Sequence, residues 1–225
     1  MKQRRTIHRA AAAALLAVLA GCSAPRYFDL QIESGEPGKP PAIDRVLRVE
    51  DIRNNEILYD RRMVVRKNDY RLQYLPWDNW AKTPGELIQD TVIQYYKNGR
   101  FFARVSDEYA SVEPDLVMRI GIDALEMIRS DRRWFARLAL DIELVDARTE
   151  KSVLDHAFDR RLEIRTKNAR LLPGKISRML KEELDAVVRA LRQALRPERN
   201  PARTPLPRAI PSGPAVSRQI GPAAE

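Results

Sequence analysis

Between Leu116 and Arg165 apolar and polar residues alternate with a period of two. Leu116, Met118, Ile120, Ile122 and Ala124 hold even positions, as do Trp134, Ala136, Leu138, Leu140, Ile142, Leu144, Leu154, Phe158, Leu162 and Ile164. Odd positions carry charge: Arg119, Asp123, Arg137, Asp141, Glu143, Asp155, Asp159, Arg161 and Glu163. Successive side chains on a strand point to opposite faces, so this pattern predicts a sheet covered on one face and wet on the other. Turn signals at Arg129-Ser130-Asp131 and Ala147-Arg148-Thr149-Glu150 divide it into a three-stranded antiparallel meander. Upstream, Met63–Arg66 and Tyr70–Leu75 read as a hairpin closed by Asn68-Asp69. Short strands at Tyr27–Ile32 and Arg45–Ile52 flank a Pro/Gly-rich loop at 35–41.

The period changes to that of a helix in two places. Thr83, Pro84 and Glu86 occupy the N-cap, N1 and N3 positions of a capping box. The apolar stripe Leu87, Ile88, Val92, Tyr95, Tyr96 follows, and Gly99 ends the helix. A second helix runs from about Pro173 to Leu195, with Ile176, Leu180, Leu184, Val187, Leu191 and Leu195 on one face. The expected fold is α/β of the α+β kind: a two-layer sandwich, a mainly antiparallel sheet with two helices packed on one face.

The chain opens differently. Lys2, Arg4, Arg5 and Arg9 precede an apolar run from Ala10 to Ala20, too short to span a bilayer. The run leads into Leu19-Ala20-Gly21-Cys22, and Cys22 is the sole cysteine. Basic head, apolar stretch and small residues are the parts of an export signal; ending on a cysteine, they resemble a bacterial lipoprotein leader with its lipobox. Residues 1–21 are therefore expected to be removed and Cys22 to be acylated. Residues 22–196 form the domain. The tail from Pro197 holds seven of fifteen prolines, has no apolar period and is expected to be disordered. Most of the formal +9 lies in leader and tail, leaving acids and bases interspersed in the domain. With export added, that excludes a nucleic-acid binder.

Catalytic signals are absent. No P-loop, G-x-S-x-G elbow or G-x-G-x-x-G occurs, and no zinc spacing is possible with one cysteine and two histidines. No metal, cofactor or catalytic residue is expected, so the chain reads as a non-enzyme. His156, at an inward position, reads as a hydrogen-bonded core or edge residue. Asp141 and Asp155 are an acid pair only if the fold brings them together. The triplet Asp-Arg-Arg, at 60–62, 131–133 and 159–161, shares no period and reads as charged turns. Tyr70, Tyr74, Trp77 and Trp80 cluster more tellingly, with Trp77 and Trp80 expected in the loop before Thr83. Aromatics concentrate at docking rims, so Trp77, Trp80 and Tyr74 are the partner-binding candidates, Trp77 as the more exposed ring.

Several of these segments together resemble a known family. Tyr27-Phe28-Asp29-Leu30 soon after the cysteine, Tyr70-Arg71-Leu72-Gln73-Tyr74, Trp80-Ala81-Lys82-Thr83-Pro84, and Gly99 to Val105 after the helix are similar to the ABC-type transport auxiliary lipoproteins. The best-known member of that family is paraquat-inducible protein C. The resemblance spans about residues 22–195; the tail and Trp77 depart from it. It implies a lipoprotein of the outer membrane facing the periplasm. Such a protein serves beside MCE-domain proteins and an ABC or related inner-membrane transporter in moving lipids and preserving membrane integrity. Self-association is compatible with it. Ser23 after the cysteine, rather than Asp, agrees with outer-membrane sorting. The alternative is a structural envelope lipoprotein that binds peptidoglycan through its tail.

Overall fold

The computed structural model describes residues 24–33, 43–54 and 56–195. The leader, Cys22, the loop at 35–41 and the tail from Pro197 lie outside the described residues. The alternating segment forms the meander: β7 (Leu116–Ser130), β8 (Arg133–Asp146) and β9 (Ser152–Ile164), named here in chain order. Ile120 lies opposite Ile142, and Leu140 opposite Phe158. β7 extends to Ser130, into the expected turn at Arg129-Ser130-Asp131, because Asp131 and Arg132 alone close the hairpin at φ 46° and 65°. Two positive φ values define the primed turn whose twist suits adjacent strands, although neither residue is glycine.

One expectation fails within β7. Ile122 faces Leu140 but Ala124 faces Ala139, so Asp123 is an extra residue, a β-bulge. Beyond it the parity inverts. Leu125 and Met127 join the hydrophobic core, whereas Ala124 does not and Glu126 turns to the opposite face. Ala124 therefore leaves the inward set to which strict alternation assigned it.

The second edge of β7 is filled in pieces. β2 (Ile43–Val49), β3 (Arg53–Asn54) and β4 (Arg62–Asn68) pair with it in succession, all parallel. β5 (Arg71–Trp80) folds back on β4, and β1 (Arg26–Phe28) lies parallel beside the end of β5. β6 (Phe102–Asp107) pairs parallel with β2. The long ladders are antiparallel and the short ones parallel, so the sheet is mixed. The expected strand at Arg45–Ile52 ends earlier, at Val49, and the chain rejoins the sheet at Arg53.

Helices α1 (Pro84–Asn98) and α2 (Leu172–Ala194) cover one face. Each buries its periodic stripe: Leu87, Ile88, Val92, Tyr95 and Tyr96 from α1, and Ile176, Leu180, Leu184, Val187 and Leu191 from α2. The Thr83 backbone N–H and hydroxyl both donate to the Glu86 carboxylate, at 3.0 and 2.7 Å. The helices also meet each other: Tyr95 Oη donates to Asp185 at 2.5 Å, and Lys181 holds the same carboxylate at 2.8 Å. Burial and the Asp185 hydrogen bond push the Tyr95 hydroxyl up to about 12, so it stays a donor at any physiological pH.

Charge on the far face is paired across four strands. Arg66 of β4 holds Glu126 of β7 at 2.9 Å, and Arg137 of β8 holds it at 3.0 Å. Arg137 then grips Asp159 of β9 with two bonds, at 2.9 and 2.8 Å. Glu126 is only 3% exposed, so it depends on both guanidiniums to replace water.

Arg132→Gly relieves a left-handed φ that costs a side chain about 1–2 kcal/mol, and should raise stability by about 1 kcal/mol in urea melts. Glu126→Ala leaves Arg66 and Arg137 facing each other and should cost about 3 kcal/mol, the low end for a broken buried pair because both arginines keep some water. The Asp159 carboxyl is held below its usual range, chiefly by the Arg137 hydrogen bonds. Its contribution is therefore full above the ordinary aspartate value of about 3.9 and lost as pH falls through the lowered one. In acid titrations of unfolding, the parent should be more stable than Asp159→Asn by a constant margin above that window, and the margin should shrink as pH falls through it.

Candidate functional site

β5 leaves its ladder where the aromatic cluster lies. Pairing with β4 jumps from Arg62↔Asn79 to Val64↔Tyr74, so Leu75, Pro76, Trp77 and Asp78 bow out of register with it. Pro76 has no N–H to give a ladder, which is why a proline belongs in such a bow. Trp77 and Trp80 thus sit on a strand, not in the expected loop: β5 continues because β1 pairs with its last three residues.

The three candidate aromatics have different surroundings. Trp80 is 1% exposed and belongs to the core, its backbone N–H donating to Arg61 O at 2.7 Å. Tyr74 is half-buried; its hydroxyl donates to Ile57 O at 2.9 Å and the Arg62 guanidinium lies 4.5 Å over its ring. Trp77 is 45% exposed. The two held rings bracket the bow from which the third projects.

Two further exposed rings adjoin this rim. Tyr27 of β1 lies directly across from Asn79, and Tyr59 ends the short 3-10 turn Glu56–Tyr59 before β4. Both border a shallow open groove with Arg61, Arg62, Asn79 and Thr83. Asp60 pairs with Arg62, whose hydrogen bonds keep that carboxyl below its usual range. β1 is pinned by Arg26, whose Nε donates to the buried Asp78 at 2.7 Å. Cys22 precedes Arg26, the first residue of β1, by four positions in the sequence. Sequence reasoning missed Tyr27, Tyr59 and the Arg26–Asp78 pair. Pro76 signalled the break in β5, but nothing local links residues 26 and 78.

His156, Asp141 and Asp155 each have a structural partner. His156 Nε2 lies 2.8 Å from Glu183 of α2, and Arg160 bonds Glu183 and Glu182 at 2.9 and 2.7 Å. These contacts tie the edge of the sheet to the helix layer. Asp141 lies over Gly121, where a Cβ would come within 2.1 Å of its carboxylate, and reaches Arg53 at 3.8 Å. Asp155 accepts from the Ser152 hydroxyl at 2.9 Å. Among the described residues no group of three His, Cys, Asp or Glu side chains is placed to hold a metal, and no helix is long and apolar enough to cross a membrane.

Comparison with known proteins bears on this arrangement. No curated protein sequence matches the chain. Protein XCC0632 of Xanthomonas campestris, a DUF330 structure, superposes with a TM-score of 0.64 at 15% identity, over 72% of this chain and 92% of that one. An uncharacterized protein superposes with a TM-score of 0.59 at 11% identity, over 74% and 98%. At these identities the likeness is one of fold. The family model for the ABC-type transport auxiliary lipoprotein component matches residues 28–197, from β1 through α2. The chain belongs to the ABC-type transport auxiliary lipoprotein component family.

Proposed function

We propose that this chain is a non-enzymatic lipoprotein held in the outer membrane by acyl chains on Cys22, with its domain facing the periplasm. In this reading it is an accessory subunit of an envelope lipid-transport system that contributes to membrane integrity. Its partners are an MCE-domain protein and an ABC or related inner-membrane transporter. The observation that carries the reading is family membership over residues 28–197 directly behind a lipobox cysteine. Each buried CH₂ contributes about 0.8 kcal/mol, so two or three acyl chains anchor firmly where one does not.

A subunit that acts by association needs a rigid, desolvatable anchor on its surface. Trp77 is that anchor in our reading, with Trp80 and Tyr74 holding the bow that presents it. The polar network supports a scaffold role as well: Glu126, Asp141 and Asp159 are each paired with arginine.

Cys22→Ala should leave an unprocessed precursor that takes up no labelled palmitate; normal labelling contradicts the anchor. Ser23→Asp should shift the protein toward the inner-membrane fraction, and unchanged fractionation removes the sorting argument. Trp77→Ala should weaken association with an MCE-domain partner by about 1–3 kcal/mol at unchanged stability. Trp80→Ala should instead cost about 3–5 kcal/mol of folding free energy. Paired affinity and denaturant measurements separate the two, and normal binding by Trp77→Ala places the interface elsewhere.

A further inference from the structure

β9 is an open edge. It runs for thirteen residues and among the described residues pairs only with β8. An edge of this length displays a row of unpaired backbone N–H and C=O groups that can accept another strand. Its helix-side residues Leu154, Phe158 and Leu162 are only partly buried, although their neighbours across β8 are fully covered. One more strand at this edge would complete their burial.

The charges along β9 select which strand. Arg161 is exposed and forms no salt bridge among the described residues, with only a longer-range attraction to Asp159. Asp155 is exposed and holds only the Ser152 hydroxyl. The two side chains share the face away from the helices, three residues either side of Phe158. From this geometry we infer that β9 pairs antiparallel with β9 of a second copy of this chain, about a two-fold axis at Phe158. Each Asp155 then lies opposite the other copy's Arg161, each Leu154 opposite a Leu162, and the two Phe158 rings meet. His156 falls opposite the other copy's Arg160, beside the Glu183 that each already holds.

Neighbouring registers are worse. Centring on Ala157 sets Asp155 against Asp159. Centring on Asp159 sets that residue against itself and Asp155 against Glu163. Axes between residues put the apolar face of one strand against the charged face of the other. Directly opposed like charges destabilise a strand pair, whereas opposite charges stabilise it. A two-fold contact uses the same patch twice and so closes at two copies, with one continuous sheet and helices on a common side.

The test uses the full chain in its own envelope and after extraction in mild detergent. Phe158→Cys should give a disulfide-linked pair of copies in intact cells, absent from the parent chain, which also controls for Cys22. Asp155→Arg and Arg161→Asp, made singly on exposed residues, should each abolish the dimer in sedimentation at a concentration where the parent chain is dimeric. The double variant should restore it. Absence of the 158–158 link overturns the proposal, as does a parent chain that sediments as a monomer. Single reversals that leave the assembly unchanged also overturn it, including the case where a different protein's strand occupies the edge.

Discussion

A fifteen-residue central strand must find backbone partners along both edges, because buried N–H and C=O groups left unpaired are costly. β7 meets that demand with one continuous ladder to β8 and, on the other side, three short parallel strands in a row. The row breaks between Asn54 and Arg62, where the chain leaves the sheet. The bulge at Asp123 falls beside the same break, between the positions that pair with β3 and with β4. Bulges bend and twist a strand. The bend lets one end of the sheet carry β2 and β6 while the other carries β4, β5 and β1. The second group bears the aromatic rim, so the rim is a consequence of how β7 fills its second edge.

The inverted parity beyond Asp123 links this framework to the charge network. It turns Glu126 away from the helices, into reach of Arg66 and Arg137 from the strands on either side. A carboxylate so buried is tolerable only with both partners present, so the network favours one register for β4 against β7. On the helix side, Glu183 does comparable work at the sheet's free edge by holding His156 and Arg160 of β9 to α2.

The meander, the hairpin and both helices were legible because period, caps and turns are local signals. Thr83, Pro84 and Glu86 wrote the start of α1 into adjacent positions. The parallel pairings were not legible: nothing in Arg53-Asn54 announces a partner at Gly121-Ile122, nearly seventy residues on. The bulge left a faint trace, since Leu125-Glu126-Met127 reverses the alternation, yet Asp123 and Ala124 fit the old parity and hid the change. Trp77 and Trp80 look alike in sequence. They differ because Pro76 and the Arg62 register jump bow the strand at one ring and seat the other in the core. Cys22 is the opposite case: the expectation of processing there rests on contiguous residues alone, Leu19-Ala20-Gly21-Cys22.

The central claim is that the domain works by holding a partner at the aromatic rim around Trp77. Site-specific photocrosslinking from position 77 of the full chain in intact cells tests this most directly. A covalent adduct to an MCE-domain protein is expected, lost when the crosslinker is moved to an exposed site on the opposite end of the sheet. Adducts confined to peptidoglycan, or equal capture from both positions, would contradict it.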